Sequence, residues 1–379
     1  MPLKVAIGVH GRFHAFELAA ALGGVADVRQ VATTYPARIA RRLLPPDIPL
    51  RTAPSLELIR RLQGRLDLWP RAHAFIGRRF GKFVARTLPP EIDVFLGWSG
   101  ASLEALEAAK RRGALAVVER GSTHILHQDD VLRRASAASG RDFPGIDRDI
   151  VARELAEYDL ADRIEVPSGF AAETFVARGT PWEKLIVNPY GVDARAFATI
   201  AERPSRARPV IVFVGGIGTR KGAQDLIAAA AVLGDRATLV MVGPVAPGFR
   251  AAAGGNVRFT GALDRPRLIA ELHAADIFCL PSYEEGLALS MLQAMAAGLA
   301  VVATPETGIA DVADEGSEAL IVPSGRPDAL AAALGILADD ADRRRAMGAA
   351  AARRASTLTW AACARRAADA WQRAIGGHN

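Results

Sequence analysis

Cysteine is nearly missing from this sequence: Cys279 and Cys363 are the only two in 379 residues, and both stand among apolar neighbours. That excludes a disulfide framework and a Cys-rich metal site, and it suits a reducing compartment. Long hydrophobic runs are missing too. The Ala-rich run from Ala223 to Leu233 is interrupted by Gln224 and Asp225, and the stretch from Leu289 to Ala303 is split by Gly298. Neither can span a bilayer, so both read as core elements. The opening Met1-Pro2-Leu3-Lys4-Val5-Ala6-Ile7-Gly8 has no basic segment before a short apolar run, which makes it a first buried strand rather than a secretory leader. No low-complexity tract appears, and 23% charged residues beside 50% hydrophobic ones argue against disorder. A soluble, cytoplasmic chain with enough length for two domains is expected.

What is present is a regular alternation. Short apolar runs bounded by turn residues recur at Leu3–Val9, Val28–Ala32, Ile92–Leu96, Ala114–Val118, Arg163–Val166 and Leu185–Val187, with helix-like stretches between several of them. A second series follows at Val210–Val214, Thr238–Val242, Val257–Thr260, Ile277–Leu280, Leu299–Ala303 and Ala319–Val322. Strands alternating with helical stretches argue for parallel sheets covered by helices, hence an α/β protein with two doubly wound domains. Between the series lie Asn188-Pro189-Tyr190-Gly191-Val192-Asp193 and the aperiodic, proline-punctuated Glu202-Arg203-Pro204-Ser205-Arg206-Ala207-Arg208-Pro209, where the linker is expected. This gives residues 1–195 to a first domain and 209–358 to a second. The last segment, 359–379, is an amphipathic helix with Trp360, Cys363, Ala367, Ala370 and Trp371 at helical spacing, and it must pack on something.

One region breaks the pattern. Residues 36–90 hold twelve Lys or Arg against three acids, a local balance of +9 in a chain of net +6, so the remainder is −3. Leu56, Ile59, Leu62, Leu66 and Trp69 recur at helical spacing, as do Ile76, Phe80, Phe83, Val84 and Thr87, which predicts two basic amphipathic helices. Such helices can lie on an anionic membrane or receive a phosphorylated acceptor. Equally, an arginine face can keep an exposed helix soluble while its apolar stripe packs inward. Nucleic acid is not expected, because the aromatic residues fall on the apolar stripe and no recognised binding motif accompanies them.

Two segments carry chemistry. The first runs from the strand Val210–Val214 through Gly215-Gly216-Ile217-Gly218-Thr219-Arg220-Lys221-Gly222 into a helix starting at Ala223. A strand, a glycine turn and a helix N-terminus converge free N–H groups and the positive end of a helix dipole on one point, which suits a phosphate, and Arg220 and Lys221 add two cations. A dinucleotide fingerprint would need glycine where Lys221 stands, and a Walker loop would need Gly-Lys-Ser/Thr. A plain glycine turn with two solvated cations is the simpler alternative. The second segment is Pro281-Ser282-Tyr283-Glu284-Glu285-Gly286-Leu287-Ala288-Leu289-Ser290-Met291-Leu292-Gln293-Ala294-Met295-Ala296-Ala297-Gly298. Glu285 follows a strand at its carboxyl end, where doubly wound sheets bind ligands. Gln293, eight residues on and polar in an apolar helix, needs a partner, and the two could hold sugar and ribose hydroxyls.

Together Arg220-Lys221-Gly222, Glu285-Gly286…Gln293-Ala294-Met295…Gly298 and Val301-Val302-Ala303-Thr304 closely resemble the retaining glycosyltransferases of the two-Rossmann-domain (GT-B) type known as family 4. The resemblance covers most of the chain: Asn188 to Asp193 looks like the family's interdomain segment, and the terminal helix like the one that crosses back to the first domain. It implies two Rossmann-like domains facing across a cleft, the first binding an acceptor and the second a nucleotide-diphosphate sugar. Arg220 and Lys221 would hold the donor diphosphate, with Gly215, Gly216, Gly218 and Gly243 in the surrounding loops. Glu285, with Gly286, Leu287 and Ala288, would meet the transferred sugar. Gln293 matches the family's second, ribose-binding glutamate, and this departure leaves an amide in its place. Gly216 is a second departure, standing where many members carry an arginine. In the first domain Gly11 and His14 of Gly8-Val9-His10-Gly11-Arg12-Phe13-His14 match the flexible loop at the cleft. His124 occupies the place of the family's active-site histidine, and Glu165 and Asn188 would line the cleft; on the residues alone His124 could equally be a loop hydrogen-bonder.

The implied reaction is front-face transfer with retention, the leaving phosphate taking the acceptor's proton. Its charge would be stabilised by Arg220, Lys221 and backbone N–H groups without a metal or other cofactor. No Asp-x-Asp site supports metal in the donor half: Asp339-Asp340-Ala341-Asp342 lies on a helical segment far along the chain, and Asp129-Asp130 stands unsupported. The acceptor would be a glycan or lipid-phosphate-linked sugar in bacterial surface polysaccharide or glycolipid assembly, at the inner membrane face. Rival readings are a nucleotide-sugar epimerase of the same architecture, which needs further acid/base residues, and a catalytically silent binding protein, favoured by Gln293 and Gly216.

Overall fold

The computed structural model describes residues 1–66, 72–198, 206, 208–250 and 254–377, with side chains from 64 to 66 left out. The expectations that fall on the side chain of Leu66, on Trp69 and on Glu202–Ser205 and Ala207 lie outside the described residues. Two parallel sheets organise the chain. The first contains β1 (Lys4–Val9), β2 (Asp27–Thr33), β3 (Leu50–Thr52), β4 (Val94–Trp98), β5 (Leu115–Glu119), β6 (Arg163–Val166) and β7 (Leu185–Val187) in the order 3-2-1-4-5-6-7. The second contains β8 (Val210–Val214), β9 (Thr238–Val242), β10 (Val257–Gly261), β11 (Ile277–Leu280), β12 (Ala300–Ala303) and β13 (Ala319–Ile321) in the order 10-9-8-11-12-13.

Every residue of β4, β5, β11 and β12 is buried, because helices cover both faces of each sheet. This is why the strands read as continuous apolar runs without alternation. The edge strand β10 is half-buried to exposed. β3 escaped the sequence reading: Leu50-Arg51-Thr52 has no apolar run and is a strand only because Val31, Ala32 and Thr33 of β2 pair with it.

The helix Ala72–Thr87 buries Ile76, Phe80 and Val84 in the core of the first domain. Its apolar stripe is thus used inside the protein, leaving Arg78, Arg79, Lys82 and Arg86 exposed. The preceding helix, Pro54–Leu66, differs: Leu56 is buried, but Leu58 and Leu62 remain 59% and 47% exposed. The terminal helix Trp360–Gly376, capped by Thr359 Oγ1 on Ala362 N at 3.1 Å, packs Cys363, Ala364, Ala367 and Trp371 against Leu18 and Leu22 of the first domain. Trp371 is fully buried and donates Nε1–H to Glu165 at 3.1 Å. Truncating a side chain of that size typically costs about 3–5 kcal/mol, so this helix is a structural part of the domain it returns to.

In each sheet the strand order reverses beside the first strand, between β1 and β4 and between β8 and β11. Loops leaving the carboxyl ends of those strands diverge to opposite faces and open a crevice, the usual binding position in such folds. Here the two crevices meet.

Candidate active site

A cavity of about 560 Å³ lies where the crevices face each other. The second domain contributes Val214 and Gly215 after β8, then Arg220 and Lys221, and from the loop after β11 Glu285, Leu287 and Ala288. The first contributes His10, Phe13 and His14 after β1, Trp98 and Ser99 after β4, Arg120, Gly121 and Ser122 after β5, and Tyr190.

On the second domain's side, Lys221 Nζ lies 2.5 Å from Glu285 Oε1 and Arg220 Nη1 lies 3.2 Å from the same oxygen. Burial disfavours the Arg220 charge, but Glu285 and Glu284 outweigh it and raise its pKa. The two residues stand on a loop that turns through Thr219–Lys221 to Gly222 and enters the helix Ala223–Leu233. The loop is held by a close backbone approach: a Cβ on Gly243, whose φ is +141°, would sit 1.9 Å from Gly215 O. Gly243 is thus required to seat Gly215 beneath Lys221. Gly218 is extended and Gly216 is exposed with open space around it.

The first domain's wall is aromatic and buried. His14 Nε2 lies 2.5 Å from Glu119 Oε1, which also accepts from Tyr190 Oη at 3.1 Å. The imidazole is sandwiched, with ring centroids 3.9 Å from Tyr190, 5.3 Å from Trp98 and 5.8 Å from Trp360. A histidine whose one nitrogen is held by a buried carboxylate keeps a defined orientation for the other. Gly11, with φ +101°, forms the turn before it and donates to Thr34 Oγ1 at 2.9 Å. Phe13 stands in the left-handed region at φ +40°, 56% exposed over the opening. His10, at the same wall, has its pKa lowered to about 4 by burial and by the neighbouring Arg60, His73 and Arg153 charges, so it is neutral.

Between the domains runs a polar chain built on Glu284. Its side chain is fully buried, and burial alone would raise its pKa; Arg220, Ser122, Thr123 and Gln128 reverse this and bring it to about 2. Nearby, Ser168 Oγ donates to Gly286 O at 2.7 Å and Gly169 N to Asp311 Oδ1 at 2.8 Å. The residue motifs gave no hint of Glu284, since of two adjacent glutamates in a loop nothing local says which faces the ligand and which the other domain.

Of the residues picked from sequence, Gly215, Arg220, Lys221, Glu285, Leu287, Ala288 and His14 line the cavity. His124, Asn188, Glu165 and Gln293 do not. His124 lies outside the lining: it is the N-cap of the helix Ile125–Ala138, its Nδ1 accepting from Leu126 N at 3.2 Å, and it packs on Tyr158 and Phe175. Burial lowers its pKa to about 4, and it borders a separate recess with Arg178 and Lys184. The histidines at the cavity are His10 and His14. Asn188 lies below the cavity floor, 2% exposed, donating to Glu165 at 2.7 Å and accepting from Arg366 of the terminal helix. Glu165, expected at the cleft, belongs to that same buried group; burial and then the nearby Glu119 raise its pKa to about 7. Gln293 is half-buried on the helix Leu289–Ala296, also outside the lining.

Residues 208–340 match the family described as Glycosyl transferases group 1. The D-inositol 3-phosphate glycosyltransferase of Kineococcus radiotolerans is 31% identical over 288 residues, 66% of this chain and 66% of that protein. That of Corynebacterium jeikeium is 34% identical over 236 residues, covering 55% and 54%. The chain thus spans about half to two thirds of the length of these relatives. Among solved structures, Anabaena HepE in complex with UDP superposes over 97% of this chain and 99% of its own with a TM-score of 0.69 at 16% identity. Sucrose-phosphate synthase from Thermosynechococcus elongatus superposes over 99% and 100% with a TM-score of 0.71 at 19% identity. At these identities the likeness shows the fold, and it is the GT-B fold.

Proposed function

Because the chain belongs to the Glycosyl transferases group 1 family, we propose that it transfers a sugar, with retention, from a nucleotide-diphosphate donor held by the Arg220–Lys221 loop to an acceptor hydroxyl bound against the His10–His14 wall. The observation that carries this reading is the paired cation site: Arg220 and Lys221 converge on Glu285 Oε1 at 3.2 and 2.5 Å, at the mouth of a glycine loop. In the donor complex the two cations turn from Glu285 to the diphosphate, and the released carboxylate meets hydroxyls of the transferred sugar. As the glycosidic bond breaks, negative charge grows on the leaving phosphate, and fixed cations in a partly dry cleft stabilise it with no metal required. The leaving phosphate takes the acceptor's proton on the same face. His14, oriented by Glu119, fixes a substrate hydroxyl.

For the acceptor we favour a glycan or lipid-phosphate-linked sugar of a bacterial envelope polymer or glycolipid, met by a cytoplasmic protein at the inner membrane face. Support comes from the basic segment, where Leu58 and Leu62 stand exposed beside Arg61, since each cation near an anionic surface contributes about 1 kcal/mol. An inositol phosphate is a second acceptor class, favoured by the names of the relatives. The test is a screen of nucleotide sugars for thermal stabilisation, followed by turnover with both acceptor classes. Arg220→Ala with Lys221→Ala is expected to lower kcat/KM by about 10²–10³ per lost donor; unchanged turnover in that double variant would end the reading. Interconversion of a nucleotide sugar with no acceptor present would favour an epimerase instead, and donor binding without any turnover a silent binder.

A further inference from the structure

Glu284 stands in the second chemistry-bearing segment with no role assigned to it, yet among the described residues it is the most heavily bonded carboxylate at the cleft. Its Oε1 accepts from Ser122 Oγ, from Thr123 N at 3.1 Å and from Thr123 Oγ1 at 2.7 Å. Its Oε2 accepts from Gln128 Nε2 at 2.9 Å and from Arg220 Nη1 at 3.3 Å, and Arg220 Nη1 also donates to Glu284 O at 3.1 Å. Ser122, Thr123 and Gln128 belong to the loop after β5 and the first turns of the helix Ile125–Ala138, so a carboxylate from the second domain occupies a helix N-terminus of the first. Gln128 Oε1 in turn accepts from Arg120 Nη2 at 2.8 Å, and Arg120 Nη1 meets Glu154. The result is an unbroken alternation of charges and dipoles from Glu154 in the first domain to Lys221 in the second.

We propose that Glu284 is a positioning residue through which the first domain sets Arg220 in place for the donor diphosphate; this rests on the Arg220–Lys221 loop holding that diphosphate. The physical case is one of ordering. An arginine side chain is long and rich in rotamers, and fixing it on ligand binding costs affinity. Here the cost is met before the ligand arrives, because Glu284 accepts from Arg220 while four donors from the opposite domain hold Glu284 itself. A fully buried carboxylate is tolerable only when paired and hydrogen-bonded, and this one has both kinds of partner. The arrangement also couples two events: whatever holds the domains together favours diphosphate binding, and by reciprocity the bound diphosphate favours the assembled cleft.

The test is calorimetric titration of the full-length chain with UDP, GDP, ADP and dTDP, the tightest becoming the probe for variants. E284Q, which keeps the shape and removes the charge, is expected to weaken binding about tenfold or more. Q128L leaves the buried charge alone and is expected to weaken it by about threefold or more; it stands in should E284Q fail to fold. In an R220A background E284Q is expected to add less than about twofold, since it acts through the missing guanidinium. A merely structural contact would instead lower the melting temperature of E284Q while leaving binding at 20 °C intact and its effect additive with R220A. Binding by E284Q and Q128L within about twofold of the parent, or full additivity with R220A, overturns the inference alone. If the parent binds none of the four diphosphates, the donor-site reading falls and takes this one with it.

Discussion

Gly286 is where the sharpest steric prediction can be made. It follows Glu285 in the loop after β11, and the two domains touch at its backbone. A Cβ built there would lie 2.5 Å from Gly121 O, 2.8 Å from Gly121 C and 2.8 Å from Pro167 Cγ, all in the opposite domain. Ordinary contact begins at 3.4 Å, so Gly286→Ala leaves the backbones about 0.9 Å too close (3.4 less 2.5). Two of the three obstacles are main chain and cannot rotate aside, so the contact between domains must open. Opening by that amount stretches the 2.7 Å bond from Ser168 Oγ to Gly286 O to about 3.6 Å, beyond useful range. Overpacking of this kind costs about 1–3 kcal/mol and the lost hydrogen bond about 1 kcal/mol, so a total of about 2–4 kcal/mol is expected. For a chain of this size that is a fall in melting temperature of about 2–5 °C. Because the displacement falls between Glu285 and Gly121, both at the cavity, the apparent affinity for donor should drop as well, read as a raised donor KM in a coupled assay for released nucleoside diphosphate. A Gly286→Ala protein that melts within about 1 °C of the parent and keeps donor KM within about twofold would refute the steric reasoning.

The two histidines separate function from packing. His14→Ala is expected to lower kcat by about tenfold or more through loss of an oriented hydroxyl partner, whereas His124→Ala should lower stability by about 1–2 kcal/mol through loss of its cap and leave kcat near the parent's; steady-state kinetics beside thermal melts distinguishes them, and the reverse pattern would restore His124 to the site. Glu165 gives a pH dependence. Its folded pKa is raised from 4.5 to about 7, so the folded state holds its proton more tightly than the unfolded one. The associated stability is therefore fully present below pH 4.5 and is lost as pH rises through about 7, about 3 kcal/mol in all. Urea melts of the parent between pH 4.5 and 8 should show this loss relative to Glu165→Gln, and parallel curves would count against it. For the basic segment, sedimentation with vesicles containing anionic phosphatidylglycerol should fall when Leu58 and Leu62 are both changed to Ser, and binding indifferent to anionic lipid would remove the membrane reading.

Much of this protein is written in local sequence. Val210-Ile211-Val212-Phe213-Val214 is a buried parallel strand because nothing in it is polar, and the turn to Gly222 follows because only glycine admits the backbone approaches there. The fold class, every strand but β3 and the cationic loop could be read that way. Which side chains meet across the cleft could not. His124 and His14 each follow a strand and look alike in one dimension; burial against Tyr158 and Phe175 takes one away from the cavity, and Glu119, more than a hundred residues from its partner, holds the other in it. Glu284 and Glu285 are neighbours in the chain, yet one faces the donor loop's lysine and the other the first domain's helix, because a turn sends consecutive side chains in different directions. Asn188 and Glu165 read as cleft polar groups but are closed over by a terminal helix whose Trp371 arrives from far down the chain. Local interactions fixed the elements, while long-range burial and charge pairing, which depend on how two separately legible domains face one another, decided the site.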